Sequence, residues 1–285
     1  MASNFHLPLV KVILIPAFLL LLLSNKPLRC EAGNVLAVTG PMYPGQFLRI
    51  QDYMLMLQPD CNLVLYDKSQ TIWATNTKAS TCSLTLQRTG ELVLSDGSGN
   101  RMWSSSKTGG QGNYVLVLQK DRNLVVYGTG RWCSKTNVAA TSPPHIPIDM
   151  DMRAEYVLYP GSFLYPGNSL KNGKWELKLE PSCNLVLYED GDKAIWSTNT
   201  AGKANACYLR IEVNGNLNLY SGAGIIIWTS GTGAGYSVLV LQNDRNLCIY
   251  GPGIWNTGTQ KSGLGLPFAH PDNNTIPTTL PLLSS

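Results

Sequence analysis

The sequence predicts an all-β protein of two tandem domains, each built from three antiparallel sheets around a pseudo-threefold axis. Its 285 residues include 27 Gly, 13 Tyr and 7 Trp, and only 14% of them are charged. This turn-rich and aromatic composition is typical of strands rather than helices. The chain also repeats itself at a long period and at a short one, which indicates domains assembled from several small units.

The long repeat divides the chain into two similar halves. Residues 61–77 (CNLVLYDKSQTIWATNT) match residues 183–200 (CNLVLYEDGDKAIWSTNT), and residues 119–132 (QKDRNLVVYGTGRW) match residues 242–255 (QNDRNLCIYGPGIW). The separation within the two matches agrees to one residue. The chain is therefore a tandem duplication of one domain.

Composition places the boundaries of these halves. Lys11 precedes an apolar run that is too short for a membrane span, which is typical of a signal peptide cleaved before Gly33 or Asn34. A proline-rich stretch without strand alternation separates the halves, and the repeat stops in a tail that carries the sequon at Asn273. We predict a signal peptide at 1–33, a first domain at 34–137, a linker at 138–153, a second domain at 154–261 and a disordered or removed C-terminal extension at 262–285.

The short repeat is a hairpin followed by a tryptophan, and it occurs three times in each half. The residues that follow the turns are Asn62, Glu91, Asn123, Asn184, Asn216 and Asn246. The tryptophans in phase with them are Trp73, Trp103, Trp132, Trp196, Trp228 and Trp255. Leucines alternate along the return strands, so one face of each hairpin should enter a core. A lone hairpin is not stable in water, so three must share that core.

Three of the six hairpins carry the pattern Gln-x-Asp-x-Asn-x-(Val/Cys)-x-Tyr. The candidate binding residues are Gln58, Asp60, Asn62, Val64 and Tyr66; Gln119, Asp121, Asn123, Val125 and Tyr127; and Gln242, Asp244, Asn246, Cys248 and Tyr250. Their amides, carboxylates and hydroxyls form a fixed array of donors and acceptors, which recognition of an uncharged sugar requires. Asp and Asn also favour hairpin turns, but turn formation does not explain the Gln and Tyr of all three.

At these hairpins the sequence resembles the monocot bulb mannose-binding lectins, whose signature is QxDxNxVxY, and the resemblance covers about residues 34–260. It implies two β-prism domains, each of three four-stranded antiparallel sheets, and mannose binding without calcium or another cofactor. It implies further that Asp and Asn hold the axial 2-hydroxyl, that Gln and Tyr hold the 3- and 4-hydroxyls, and that Val touches C3 and C4. Paired domains of that family exchange their C-terminal strands, for which residues 130–136 and 253–259 are the candidates.

The other three hairpins depart from the motif, at residues 87–95, 180–188 and 212–220. The first loses Asp, Asn and Tyr, the second loses Gln and Asp, and the third loses Gln, Asp and Val. All three keep the leucines of the core face. We therefore expect a retained fold with weak or absent mannose binding, and binding of another glycan stays open.

The cysteines divide into equivalent and unmatched pairs. Two pairs hold the same places in the two halves and predict one disulfide in each, Cys61 with Cys82 and Cys183 with Cys207. Cys133 and Cys248 have no such equivalent. Two free thiols are favoured there over one disulfide between the halves. Cys248 takes the place of Val in the third motif, where a small thiol should cost little and a disulfide would distort the site.

No catalytic or metal site is predicted. The three histidines, His6, His145 and His270, lie outside the repeats, and no second carboxylate accompanies the motif aspartates as a glycosidase requires. The net charge of +4 is spread along the chain and does not favour nucleic acid. Beyond the signal peptide no segment is long and apolar enough to span a membrane.

We expect a non-catalytic, multivalent lectin of the secretory pathway, in the vacuole or outside the cell, with a role in plant defence or storage. Its partners would be mannose-containing glycans and glycoproteins. Its domains would pair, and the processed chains would form homo- or hetero-oligomers. The alternative is a storage or defence scaffold of the same fold with little or no sugar binding.

Overall fold

The computed structural model describes residues 33–38, 40–106, 109–135, 156–233 and 235–259. The predicted signal peptide through residue 32, the linker and the C-terminal extension with Asn273 lie outside these residues. The described residues form 23 strands in six antiparallel sheets, which confirms the all-β prediction. A search of the same residues finds no helix with the length and apolar character that crossing a membrane requires.

Two sheets of the first half are formed by successive strands. The first sheet contains β2 (Phe47–Ile50), β3 (Tyr53–Leu57), β4 (Leu63–Asp67) and β5 (Gln70–Ala74). The second contains β6 (Cys82–Leu86), β7 (Leu92–Asp96) and β8 (Arg101–Ser104).

The second half repeats this arrangement. One sheet contains β14 (Ser169–Asn172), β15 (Trp175–Leu179), β16 (Leu185–Glu189) and β17 (Lys193–Ser197). The other contains β13 (Phe163–Leu164), β18 (Cys207–Ile211), β19 (Leu217–Ser221) and β20 (Ile226–Thr229).

One sheet has three strands instead of the expected four. In the second half, β13 pairs with β18 as a short fourth strand, whereas in the first half a single residue, Met42, bridges Leu84 of β6. Pro41 and Pro44 flank Met42. Proline has no amide hydrogen to donate to a ladder, so the strand cannot extend beyond that bridge.

The two halves exchange their last strands, as the resemblance implied. The first exchanged sheet contains β1 (Val35–Ala37), β9 (Val115–Leu118), β10 (Leu124–Tyr127) and β23 (Gly253–Asn256). The second exchanged sheet contains β12 (Val157–Leu158), β21 (Val238–Leu241), β22 (Leu247–Tyr250) and β11 (Gly130–Cys133). Each half therefore completes its third sheet with a strand from the other. The described residues lie in one compact unit, and the linker boundaries stay a prediction.

Strand exchange also settles the cysteine pairing. The two disulfides within the halves are present, Cys61–Cys82 and Cys183–Cys207. The expectation of free thiols at Cys133 and Cys248 was wrong, because these residues form a third disulfide between the halves. The pairing of β11 with β22 places them opposite each other, with Cα atoms 4.2 Å apart. The sequence repeat could not reveal this contact, since it arises only from the exchange.

Each half encloses its own core of alternating leucines. Leu55, Leu63 and Leu65 of the first half, like their counterparts in the second, have no solvent exposure. At one end of the first core, the rings of Trp73, Trp103 and Trp255 meet edge to face at centroid distances of 5.6–6.4 Å. Trp255 belongs to the exchanged strand β23, so the second half supplies part of the first core.

A third buried cluster lies between the exchanged sheets. It consists of Val115, Val117, Val125, Tyr127, Val157, Tyr159, Val238, Val240, Cys248 and Tyr250. Asn34 connects the halves in the same region, since its Nδ2 amide donates to the Tyr159 hydroxyl over 2.9 Å and to the Leu118 carbonyl over 3.0 Å. The outer faces of these two sheets are therefore an interface between the halves.

Candidate functional site

All six hairpins turn through a residue with a positive φ. The angles are +70° at Cys61, +81° at Gly90, +75° at Arg122, +64° at Cys183, +89° at Gly215 and +75° at Arg245. In the three complete motifs the aspartate supports this turn, because one carboxylate oxygen accepts the backbone N–H of the asparagine two residues on, over 2.9–3.1 Å. Asp in the motif therefore has a structural role beside any role in binding.

The first motif, on β4 and the turn before it, is open. Its turn residue Asp60 is exposed, and Gln58, Asn62 and Tyr66 are half-buried. The Gln58 Nε2 amide donates to the Tyr66 hydroxyl oxygen over 2.6 Å. This bond leaves the Gln58 carbonyl oxygen as an acceptor and the Tyr66 hydroxyl proton as a donor.

Asn62 is oriented by the neighbouring segment. Its Oδ1 accepts the backbone N–H of Asn76 over 2.8 Å and the Thr75 hydroxyl over 3.2 Å. A backbone N–H can only donate, so the atom that faces it is the oxygen and the Nδ2 amide points the other way. The hairpin thus presents a fixed acceptor at Asp60 and a fixed donor at Asn62, two residues apart.

The second motif has the same internal contacts but is buried. Gln119 Nε2 donates to the Tyr127 hydroxyl, and Thr257 of the other half donates to Asn123 Oδ1 over 3.1 Å. Gln119, Asp121 and Asn123 are each only 1% exposed. Burial, and then the charge of Asp121, raise the pKa of Tyr127 above its ordinary value. In this arrangement of the halves the second motif is covered, and sugar binding by its residues stays a prediction.

The third motif lies on the opposite side of the same interface. Tyr250 is 3% exposed, and Cys248 is held in the disulfide to Cys133. The Ser134 hydroxyl of the other half donates to Asn246 Oδ1 over 3.2 Å. The interface therefore covers the strand face of this hairpin at Tyr250 and Cys248, whereas Gln242, Asp244 and Asn246 around the turn are half-buried. Sugar binding by the third motif stays a prediction.

The hairpin at 87–95 is occupied by an ion pair of its own. Glu91 takes the place of the motif asparagine and is nearly buried. Its carboxylate accepts two hydrogen bonds from the Arg101 guanidinium, over 2.7 and 3.2 Å. This bidentate pair fills the position where a sugar hydroxyl would need an amide.

The hairpin at 180–188 most closely matches the open motif. Its residues have the same sequence of exposed, half-buried and buried positions as 58–66, and Asn184 Oδ1 accepts from Thr198 and Thr200 as Asn62 does from its neighbours. The difference is at Glu180, whose carboxylate accepts the hydroxyls of Tyr188 and Ser182. That hydrogen bond to Glu180 is the main cause that raises the pKa of Tyr188. The Tyr188 hydroxyl therefore donates its proton to the hydrogen bond with Glu180, and that proton is not available to a sugar.

Comparison with known proteins places this geometry in a family. No family model matches the sequence. The chain is 34% identical to mannose-specific lectin 2 of Colocasia esculenta, over 90% of this chain and 94% of that lectin. It is 33% identical to mannose-specific lectin 1 of Remusatia vivipara, over 90% of this chain and 96% of that lectin. The chain belongs to the monocot mannose-specific lectins.

A solved structure of a monocot lectin shares the tandem architecture. It is the fetuin-binding agglutinin of Scilla campanulata, described as a two-domain lectin. The likeness has a TM-score of 0.73 at 36% identity and covers 79% of this chain and 100% of the agglutinin. The resemblance and the fold class that the sequence predicted are confirmed.

In this monocot mannose-specific lectin, the first of the three predicted motifs is open, the second is buried, and the third is covered along its strand. The sequence contains a signal for this difference in burial between the motifs. Strands β9 and β21 both read Val-Leu-Val-Leu, with apolar residues on both faces, whereas β3 reads Tyr-Met-Leu-Met-Leu and is covered on one face only. Continuous apolar runs are typical of strands buried on both faces. These apolar runs therefore indicate that the strand faces of the second and third motifs are covered.

Proposed function

We propose that this lectin binds mannose and mannose-containing glycans through the hairpin at 58–66, without calcium and without catalysing a reaction. The observation that carries the proposal is the exposure of this hairpin. Among the three complete motifs, it is the one with an exposed aspartate and a half-buried tyrosine. The names of the relatives support mannose as the ligand.

The chemistry of the open hairpin fits two adjacent hydroxyls of a pyranose. Asp60 accepts and the Asn62 Nδ2 amide donates, so together they can hold one hydroxyl that both donates and accepts. The Gln58 carbonyl oxygen and the Tyr66 hydroxyl proton form a second acceptor and donor pair. Since Thr75 and Asn76 already fix Asn62, little side-chain entropy is lost on binding.

A charge-removing substitution at Asp60 tests this site. Asp60→Asn keeps the turn, because Asn214 makes the same turn bond to Asn216 over 3.0 Å in another hairpin. We expect the affinity for methyl α-mannoside to fall about tenfold to a hundredfold, since a hydrogen bond to a charged group is lost. Calorimetric titration of the full mature protein in EDTA measures this and tests calcium independence at once.

The matched control is Asp244→Asn in the third motif, whose Cys248 and Tyr250 are covered. It makes the same chemical change in the same turn, and we expect no change in mannoside affinity. An unchanged affinity in Asp60→Asn would remove the hairpin at 58–66 from the proposal. A loss in Asp244→Asn would mean that the third motif binds sugar as well. A folded wild-type protein that binds no mannoside would favour the storage or defence scaffold instead.

The location of the protein is part of the proposal. The chain enters the secretory pathway and ends in the vacuole or outside the cell, where three disulfides are stable. Sequencing the N-terminus of protein isolated from tissue tests the predicted cleavage before Gly33 or Asn34. A mature chain that begins at Met1 would contradict it.

A further inference from the structure

The hairpin at 212–220 lies beside a row of aromatic rings that the other hairpins lack. On the outer face of the sheet β13-β18-β19-β20, Tyr208 lies opposite Tyr220, and their rings stack with centroids 5.1 Å apart. The Phe163 ring lies 5.6 Å from that of Tyr208 and 5.8 Å from that of Tyr165. Phe163 and Tyr165 are 43% and 52% exposed. The four rings form a continuous aromatic row that is exposed at Phe163 and Tyr165, and the Arg210 guanidinium lies 5.0 Å from the centroid of the Phe163 ring.

Polar groups adjoin the aromatic row. Arg210 lies between Phe163 and Asn218 in the strand register and ion-pairs with Glu212 at 3.5 Å. The Tyr220 hydroxyl donates to Glu212 over 2.8 Å and accepts from the Asn218 Nδ2 amide over 3.0 Å. Because Arg210 and Glu212 neutralise each other, this polar end carries no net charge.

Asn218 is the residue that needs explaining. It is 5% exposed, and its Oδ1 has no hydrogen-bond partner. A buried acceptor without a partner costs free energy that the Val of the complete motif would avoid. An acceptor that faces the outer side of the sheet, beside exposed rings, is suited to the hydroxyl of a ligand.

We propose that this face is a second glycan-binding site, distinct from the mannose hairpin, and that its ligand is a neutral β-galactoside of at least two sugar units. Galactose carries its C–H groups at C3, C4 and C5 on one face, so that face packs against Phe163 and Tyr165. The next sugar unit reaches Asn218 two strands away, a span of about 10 Å. Its hydroxyls donate to Asn218 Oδ1 and to the Glu212 carboxylate.

The first half provides a natural comparison. By alignment of the halves, Pro41, Tyr43, Ser83 and Ser95 stand where the second half has Phe163, Tyr165, Tyr208 and Tyr220. Ser83 pairs with Ser95 in the register in which Tyr208 pairs with Tyr220. The aromatic row therefore exists only in the second half, although Tyr43 is as exposed as Tyr165, at 53%.

Titration of the full mature protein with lactose, followed by saturation-transfer NMR, tests the proposal. We expect signal transfer to the galactose protons at C3, C4 and C5. The double variant Phe163→Ala, Tyr165→Ala should bind lactose about tenfold more weakly, from the loss of two aromatic contacts. Tyr43→Ala is the matched control and should bind lactose as the wild type does. All variants should bind methyl α-mannoside unchanged, which separates this site from the hairpin at 58–66.

A second variant examines the polar end without touching the rings. Asn218→Val restores the residue of the complete motif and should also weaken lactose binding. The proposal is overturned if the folded wild-type protein binds no lactose, or if the ring variant binds it as tightly as the wild type. An Asn218→Val protein with unchanged lactose affinity overturns the assignment of that residue to the site. Loss of mannoside binding in Asp60→Asn, with lactose binding intact, would show that the two sites are independent.

Discussion

Two residues distinguish the open mannose motif from its counterpart in the other half. Gln58 and Asp60 are replaced by Glu180 and Ser182, while the Asn, Val and Tyr of the motif are kept. The backbone and the burial pattern of the two hairpins agree. The difference in hydrogen bonding follows from the chemistry at these two positions, because the Glu180 carboxylate accepts the Tyr188 hydroxyl, whose proton would stay available beside an amide that donates instead.

Glu180→Gln with Ser182→Asp should therefore create a second mannose site. The amide would donate to the Tyr188 hydroxyl oxygen, as Gln58 does to Tyr66, and free the hydroxyl proton for a sugar. Calorimetric titration with methyl α-mannoside should give twice the wild-type stoichiometry. The single variant Ser182→Asp keeps the carboxylate of Glu180 and serves as the control. An unchanged stoichiometry in the double variant would mean that the five motif residues are not sufficient.

Two separable effects favour glycine at position 90. Gly90 has a φ of +81°, and an added Cβ would lie 2.5–2.9 Å from atoms of Ile254 and Tyr114. Gly99 has a similar φ of +84° but open space around it. Gly99→Ala should lower the free energy of unfolding by roughly 1–2 kcal/mol from backbone strain alone.

Gly90→Ala should cost more than Gly99→Ala, because the overlap with Tyr114 and Ile254 adds to the strain. Denaturant unfolding of both variants measures the difference. Ile254 belongs to the exchanged strand, so the excess also reports on the contact between the halves. Equal losses would indicate that β23 moves aside without cost.

At the scale of elements, the sequence predicted what is local and missed what the exchange creates. Hairpin turns, core leucines and the two disulfides within the halves all follow from patterns within one repeat. The Cys133–Cys248 disulfide depends on the pairing of β11 with β22, and the burial of Tyr127 and Tyr250 depends on the contact between the two exchanged sheets. Alignment of the two halves of the sequence gives no information about these contacts between the halves. The apolar outer positions of β9 and β21 were the available hint.

The exchanged sheets should make the protein sensitive to alkaline pH. Burial is the main cause that raises the pKa of Tyr127, Tyr156, Tyr159 and Tyr250 above the ordinary value of 10.0. The unfolded chain loses these protons first, so their contribution to stability is full below pH about 10 and is lost above it.

Thermal unfolding between pH about 8 and about 11.5 measures this effect. The midpoint should fall steadily above pH about 10, together with the appearance of tyrosinate absorbance. Tyr159→Phe removes one titrating group from the interface and should flatten the fall. A midpoint that is constant across the range would contradict burial of these hydroxyls.

At the scale of the whole molecule, one open mannose motif per chain sets the valency. The sequence predicted three sites, whereas the second motif is buried and the strand face of the third is covered, which leaves the hairpin at 58–66 as the open one. Calorimetry with methyl α-mannoside should give one site per chain. A stoichiometry near three would mean that the interface opens in solution. Cross-linking of mannose-coated particles then requires association of chains, which light scattering at the same concentration measures.

Cleavage within residues 138–153 should not release either half. The Cys133–Cys248 disulfide joins them covalently, and β11 and β23 each pair with the opposite half. After limited proteolysis we expect one band on a non-reducing gel and two on a reducing gel, with mannoside binding retained. Two bands without reductant would contradict the disulfide.

The exchange of last strands has a consequence for how the protein responds to dilution. When two separate molecules exchange strands, the fraction that is paired depends on protein concentration, because association costs translational and rotational entropy. Here the two halves that exchange strands lie in one polypeptide. Their association is therefore intramolecular, and the connecting segment sets the effective concentration of one half around the other. The pairing of β10 with β23 and of β11 with β22 therefore persists however rare the protein becomes. Because the domain is duplicated within one chain, the contact between the two halves does not dissociate on dilution.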